Sequence, residues 1–295
     1  MKRLLLALAF LALGATLVGA APPTVSEMLK LVPDGAQIVV AVDSAALRSH
    51  PKVQAWLLEQ HSWTGADHEM RQFLADAGLD PVRDVDGIVV ALLGQARETK
   101  GLVFFAGRYD PAALGAALVK QGATALTLGT VAAYRLPESG HHGHGSAFLA
   151  IPSGNLVIAG DEAGVTAALA PPHAVIPLVA NEIAAGHIDT RAPFWMVATV
   201  PPQVRAKVHE AGRHVEGETT EPISGIVLAS GAVERVSMQA SVDEFLRLSG
   251  VAVADTNENA QLLRDAAKGA LAAARLASSR TNRNSSTCSA TSRWP

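Results

Sequence analysis

Histidines supply the sharpest chemistry in this chain. His141-His142-Gly143-His144-Gly145 places three imidazoles within four residues, and the glycines leave the backbone free to fold around an ion. Neutral imidazole is a good ligand for zinc, nickel or copper. A structural or catalytic zinc site takes three or four ligands held by further partners, and only Glu138 lies nearby. Two readings follow: a metal site on His141, His142 and His144, or a solvated polar loop between two strands. His209 and His214 are five apart around Gly212, whereas a helical ligand pair needs a spacing of about four, so both read as exposed residues at a helix end.

Nucleophiles are less promising. Ser49-His50-Pro51-Lys52 has the Ser-x-x-Lys spacing that sets a lysine one turn from a serine. Pro51 distorts that turn, Thr99-Lys100-Gly101 is not Lys-Thr-Gly, and Ser-Asp-Asn does not occur. Gly145-Ser146-Ala147 lacks the Gly-x-Ser-x-Gly frame of a nucleophile elbow. There is no phosphate-binding Walker loop, and Gly140, Gly143 and Gly145 do not make a dinucleotide fingerprint. Asp43, Asp110 and Asp161 each follow a strand and precede a helix. That position suits a catalytic carboxylate, and equally a cap that accepts the unsatisfied N–H groups of the next helix. The cap explains all three at once. Among the indoles, Trp56 and Trp195 sit in apolar patterns and read as core, while Trp63, beside His61 and Thr64, reads as core or as an exposed anchor for a ligand.

These residues must be positioned by a chain of 295 residues with net charge -3, 49% hydrophobic and 4% aromatic. Such a composition is not that of a disordered chain. A pI near 6.4 without a basic stripe excludes nucleic acid as a partner by bulk charge, and few rings argue against stacking on sugars or bases. No cofactor motif is present. The first twenty residues read as a secretory signal: Lys2 and Arg3, an apolar run of 15 residues from Leu4 to Val18, then Val18-Gly19-Ala20 before a cut. The run is shorter than the roughly 20 residues that span a bilayer, and no other stretch is long and apolar enough. This predicts a periplasmic or secreted protein with no transmembrane segment after cleavage. Cys288 is the single cysteine, so no intramolecular disulfide forms and the core alone must supply stability.

Pattern along the chain alternates between strands and helices. Helices are expected over 24–31, 67–77, 111–121, 162–169, 175–185, 201–211 and 256–277, with a further one after Asp43 that carries Leu47, Val53, Trp56 and Leu57 and restarts at Pro51. In the 67–77 helix, Met70, Phe73, Leu74 and Ala77 share a face, Gly78 closes the helix and Pro81 stops it. Strands are expected at 38–42, 88–93, 102–106, 126–136, 147–151, 156–159 and 194–200, with a hairpin of 223–230 and 233–240 around Gly231. The fold class is therefore α+β: two related modules with antiparallel sheets flanked by helices, over 21–172 and 173–277, after the signal peptide 1–20. Residues 278–295 hold six Ser, three Thr, three Arg and two Asn, and read either as a disordered tail or as a frame-shifted end that replaces native strands.

Val32-Pro33-Asp34-Gly35-Ala36 leading to Val39–Asp43, then Leu47 and His50-Pro51, resembles the opening of a family of uncharacterised exported bacterial α+β proteins. Ala77-Gly78-Leu79-Asp80-Pro81 with Asp84-Val85, and Asn257-Glu258-Asn259-Ala260 before a long helix, resemble later parts of them. The resemblance covers 32–277. It implies tandem α+β modules in the envelope and brings no catalytic residues. The expected function is that of an exported, non-enzymatic envelope protein that binds a partner or acts structurally. Two alternatives remain open: a carrier of an apolar ligand or lipid, whose groove the small aliphatic side chains would line, and a metal-binding protein or metal-dependent enzyme using the His141–His144 loop.

Overall fold

A computed structural model describes residues 21–54, 68–94, 100–137, 147–215, 231–242, 246–265 and 267–269. The elements in order are α1 (Val25–Met28, continued by a 3-10 turn over Leu29–Leu31), β1 (Ala36–Asp43), α2 (Ser44–Ser49), α3 (His68–Asp76), α4 (Pro81–Asp84), β2 (Val85–Leu93), β3 (Lys100–Gly107), α5 (Pro111–Lys120), β4 (Thr124–Leu128), β5 (Val131–Arg135), β6 (Phe148–Ser153), β7 (Leu156–Gly160), α6 (Glu162–Ala168), α7 (Pro177–Ala184), β8 (Phe194–Thr199), α8 (Pro202–Val215), β9 (Val233–Val242) and β10 (Leu246–Ala254). The class is α+β with an antiparallel sheet, as the pattern predicts.

The chain divides into two units: Met1–Ala198 with Ser237–Gly250, and Thr199–Val236 with Val251–Pro295. Residues 173–198, which the sequence pattern groups with the second module, fall in the first unit, because β8 pairs with β1 from Ile38↔Ala198 to Val42↔Phe194. All ten strands contribute residues to the first unit, in the order β10-β9-β8-β1-β2-β3-β7-β6-β5-β4.

Register explains the core of this unit. Antiparallel pairing sets one residue from each strand in line across the sheet, and side chains in that line share a face. One such line runs Trp195, Ala41, Val89, Phe104, Ile158, Ala150, Ala133, Leu126, through β8, β1, β2, β3, β7, β6, β5 and β4. From Trp195 to Ala133 every member is fully buried. Helices cover the line: Val25 and Met28 of α1, Val165 and Ala168 of α6, and Val179 of α7 pack into the same cluster. A second cluster covers the opposite face of the sheet, where Leu114, Ala117 and Leu118 of α5 meet Ile151 and Val157, with Phe73 of α3 alongside. Lys120 Nζ and Asp76 Oδ2, 2.7 Å apart, tie α5 to α3.

The strand-to-helix grammar is visible atom by atom. Asp43 accepts from Ala46 N at 2.7 Å, Asp110 from Ala112 N at 2.8 Å and Ala113 N at 3.3 Å, and Asp161 from Gly164 N at 3.1 Å. All three carboxylates are N-caps. Pro111 occupies the first turn of α5. Pro177 likewise opens α7 rather than interrupting a helix begun at 175, because proline's missing N–H costs nothing in the first turn.

Several expectations change. Pro81 does not only stop a helix: with Asp80 as cap it starts the short α4. The expected strand 126–136 is a hairpin of two strands, β4 and β5, turned at Gly129-Thr130 with Gly129 at φ 62. Met70 is 51% exposed and does not join the face of Phe73 and Ala77. Strand β10 has no counterpart in the sequence reading, since its alternation of Leu246, Leu248 and Val251 slips at Gly250. The 223–230 strand lies outside the described residues, as do residues 1–20 and 278–295.

Phe104 sits mid-line between Val89 and Ile158, with no exposed surface. Phe104→Ala should lower the unfolding free energy by about 3–5 kcal/mol, measured by urea denaturation, because covered sheet on both sides leaves the cavity no way to collapse.

Candidate functional site

His141, His142, His144 and Glu138, the candidate metal residues, lie outside the described residues, as do Trp56, His61 and Trp63. No group of three or more His, Cys, Asp or Glu side chains arranged to hold a metal occurs among the described residues. His209 and His214 fall in α8. Trp195 is fully buried in β8, as its pattern predicts. Ser49 is the last residue of α2, and its hydroxyl donates to the Ala46 carbonyl at 2.7 Å. Pro51 starts a fresh helical turn over 51–54, so Ser49 and Lys52 do not share one continuous helix.

What the fold does assemble is a cleft of about 550 Å³ in the first unit. Ala46, Leu47, Ser49, His50 and Pro51 come from α2 and the turn after it. Asp189, Arg191, Ala192 and Pro193 come from the loop before β8. The strand ends add Gln239, Ser241 and Val242 of β9 and Ser249 of β10. The wall is thus mixed: aliphatic carbon from Ala, Leu, Pro and Val beside three hydroxyls, an amide, an imidazole and an ion pair.

The 189–193 loop is held by its own polar groups. Asp189 N donates to Gln239 Oε1 at 2.7 Å, which fastens the loop to β9. Asp43 N donates to the Pro193 carbonyl at 2.8 Å, which fastens its other end to β1. Arg191 then closes on Asp189 with Nε to Oδ1 at 3.0 Å and Nη2 to Oδ2 at 2.8 Å, a two-point fork on one carboxylate. The Arg191 side chain is 89% exposed, and the N–H groups not serving Asp189 remain for a ligand or water. Hydrogen bonds from the Arg191 side chain, and then from its backbone N–H, hold the Asp189 carboxyl below its ordinary value of 3.8. The pair is therefore charged on both sides at neutral pH.

Behind the loop sits a buried polar cluster that the sequence reading does not contain. Glu182 of α7 is 1% exposed. Its Oε2 accepts from the Ser237 hydroxyl of β9 and lies 2.8 Å from His187 Nδ1. His187 reaches it because α7 ends on Gly186, at φ 69: His187 N bonds back to the Glu182 carbonyl at 3.0 Å and Gly186 N to Ile183 at 3.0 Å, a Schellman closure that needs the left-handed residue. A carboxylate this deep costs free energy unless hydrogen-bonded. Here the bonds fasten α7 to β9 and, two residues further on, deliver Asp189 to the cleft. The signal was in the sequence: Glu182 lies three residues after Val179, on the buried stripe of α7.

No protein-family model matches this chain, and no curated protein does either. It is similar to solved structures of TP0453: crystal form I with TM-score 0.44 and 11% identity, over 80% of this chain and 82% of that one, and crystal form IV with TM-score 0.38 and 12% identity, over 73% and 75%. At these values nothing functional passes from TP0453 to this chain.

Two outcomes test this geometry. Ser237→Ala removes a hydrogen bond to a buried carboxylate and should cost about 1.5–3 kcal/mol in urea unfolding. For Asp189, the lowered carboxyl value means that the stabilisation its ion pair gives is present above pH 3.8 and lost as pH falls through the lower folded value. Carbon-detected NMR titration of the Asp189 carboxyl should show a midpoint below 3.8, and Arg191→Ala should move it up.

Proposed function

We propose that this is an exported binding protein of the cell envelope, without enzymatic activity, whose cleft takes a small polar ligand. The cleft carries the reading. Its volume of about 550 Å³ falls within the roughly 300–1,000 Å³ typical of small-molecule sites. Hydroxyls of Ser241 and Ser249, the amide of Gln239 and the exposed edge of Arg191 are groups that orient a polar ligand, while Leu47, Pro51 and Val242 supply apolar surface.

The bonding around the cleft favours binding over catalysis. Ser49 spends its proton on a backbone carbonyl, and Asp189 is engaged by Arg191, so neither forms part of a hydroxyl–base–carboxylate relay. Many aliphatic side chains are buried in the two clusters on the faces of the sheet, and the cleft wall mixes its few with polar groups, which makes a lipid carrier the weaker reading. The N-terminal pattern of Lys2, Arg3 and Leu4–Val18 supports export.

Native mass spectrometry of the protein isolated gently from its own envelope fraction tests the proposal. A small polar adduct should accompany the chain, leave on denaturation and be lost in Ser241→Trp, which fills the cleft. A retained lipid mass would favour the apolar carrier instead, and a chain clean in every preparation would overturn the binding reading.

A further inference from the structure

The sheet of the first unit ends at β4. Among the described residues β4 pairs with β5 alone, in a hairpin whose two-residue turn sets Leu128 against Val131. In such a turn the flanking pair is hydrogen-bonded, so Leu128, Leu126 and Thr124 direct their backbone groups to β5. Ala125 and Thr127 then present their N–H and C=O groups outward, and both residues are exposed.

Strand edges of this kind are usually blunted by lysine, proline or a bulge. Thr124–Leu128 reads Thr-Ala-Leu-Thr-Leu, with no charge and no proline, and its ladder with β5 runs without a bulge. The opposite edge strand, β10, carries Arg247. The buried line of side chains also stops here. Every member from Trp195 to Ala133 is sealed, but Leu126 is only half-buried while packing against that cluster.

We infer that β4 is a self-pairing edge, where a second copy of this chain adds antiparallel across a two-fold axis at Leu126. The register is self-complementary. Ala125 of one copy exchanges both backbone hydrogen bonds with Thr127 of the other, and the symmetric exchange uses the remaining outward groups. Leu126 faces Leu126 of the second copy in the close, non-hydrogen-bonded position, so the apolar line continues from one sheet into the next. An uncharged strand meets its own copy without like-charge repulsion. A five-residue edge buries well under the roughly 1,200 Å² of a stable interface, so the dimer is weak and depends on concentration.

Sedimentation velocity on the full chain tests this. The weight-average mass should rise with concentration toward that of two chains. Thr127→Pro removes one outward N–H and keeps the bonds to β5, so it should remain at the monomer mass. A wild type that stays monomeric at its solubility limit, or a dimer unaffected by Thr127→Pro, overturns the proposal. Since proline could also disturb the hairpin, a second measurement stands apart from it. In a Cys288→Ser background, Leu126→Cys should form a disulfide-linked dimer under mild oxidation, because the facing Cα atoms would lie about 4.5 Å apart, within the range of roughly 4.4–6.8 Å that a disulfide spans. Failure to cross-link counts against the two-fold register.

Discussion

One line of side chains across the sheet governs the first unit. Antiparallel pairing fixes which residue of each strand stands beside which, and the pleat then decides the face. Trp195, Ala41, Val89, Phe104, Ile158, Ala150 and Ala133 come from seven different strands and meet only because each register is right. A slip of one residue in any strand would turn its member of the line to the opposite face. Large and small members share the line, with Ala41 between Trp195 and Val89, and Ala150 and Ala133 following Phe104 and Ile158. The alanines leave room for residues of the short helices α1 and α6, which pack into the same cluster.

Polar structure is arranged around this constraint. Aspartates at the strand ends terminate the sheet and begin the helices, as Asp43, Asp110 and Asp161 do. Glu182 is the exception, a carboxylate placed among the apolar residues that cover the line. Its bonds to Ser237 and His187 hold α7 and β9 together and set the course of the loop that follows. Because that loop is fastened at Gln239 and at Asp43, the cleft is a product of the same architecture that builds the core.

Much of the local structure is legible in the sequence. The β-branched run Ile38-Val39-Val40-Ala41-Val42 marks β1, and aspartate followed by proline marks the start of α5. Where the reading departs from the structure, the cause is local ambiguity that pairing resolves. Residues 126–136 carry apolar residues on both sides of Gly129, and only Gly129 at φ 62, with a partner strand on each side of β5, makes them two strands. Strand β10 is hidden because its period breaks at Gly250. The cleft was less legible than the strands. Ser49 and His50 stand in a motif they do not fulfil, while Gln239, Ser241 and Ser249 carry no pattern at all.

The sequence by itself determined most of the strands and helices, where most helices begin, and that the chain is α+β, because these follow from side-chain period and from the hydrogen-bonding needs of helix ends within a few residues. Tertiary structure alone decided that residues 173–198 belong with the first unit, that Glu182 faces Ser237, and that residues from near 50, 190 and 240 line one cleft. Those are outcomes of pairing between distant strands, chiefly β8 on β1, and strand register is set by which faces can be buried together rather than by any residue's neighbours in the chain.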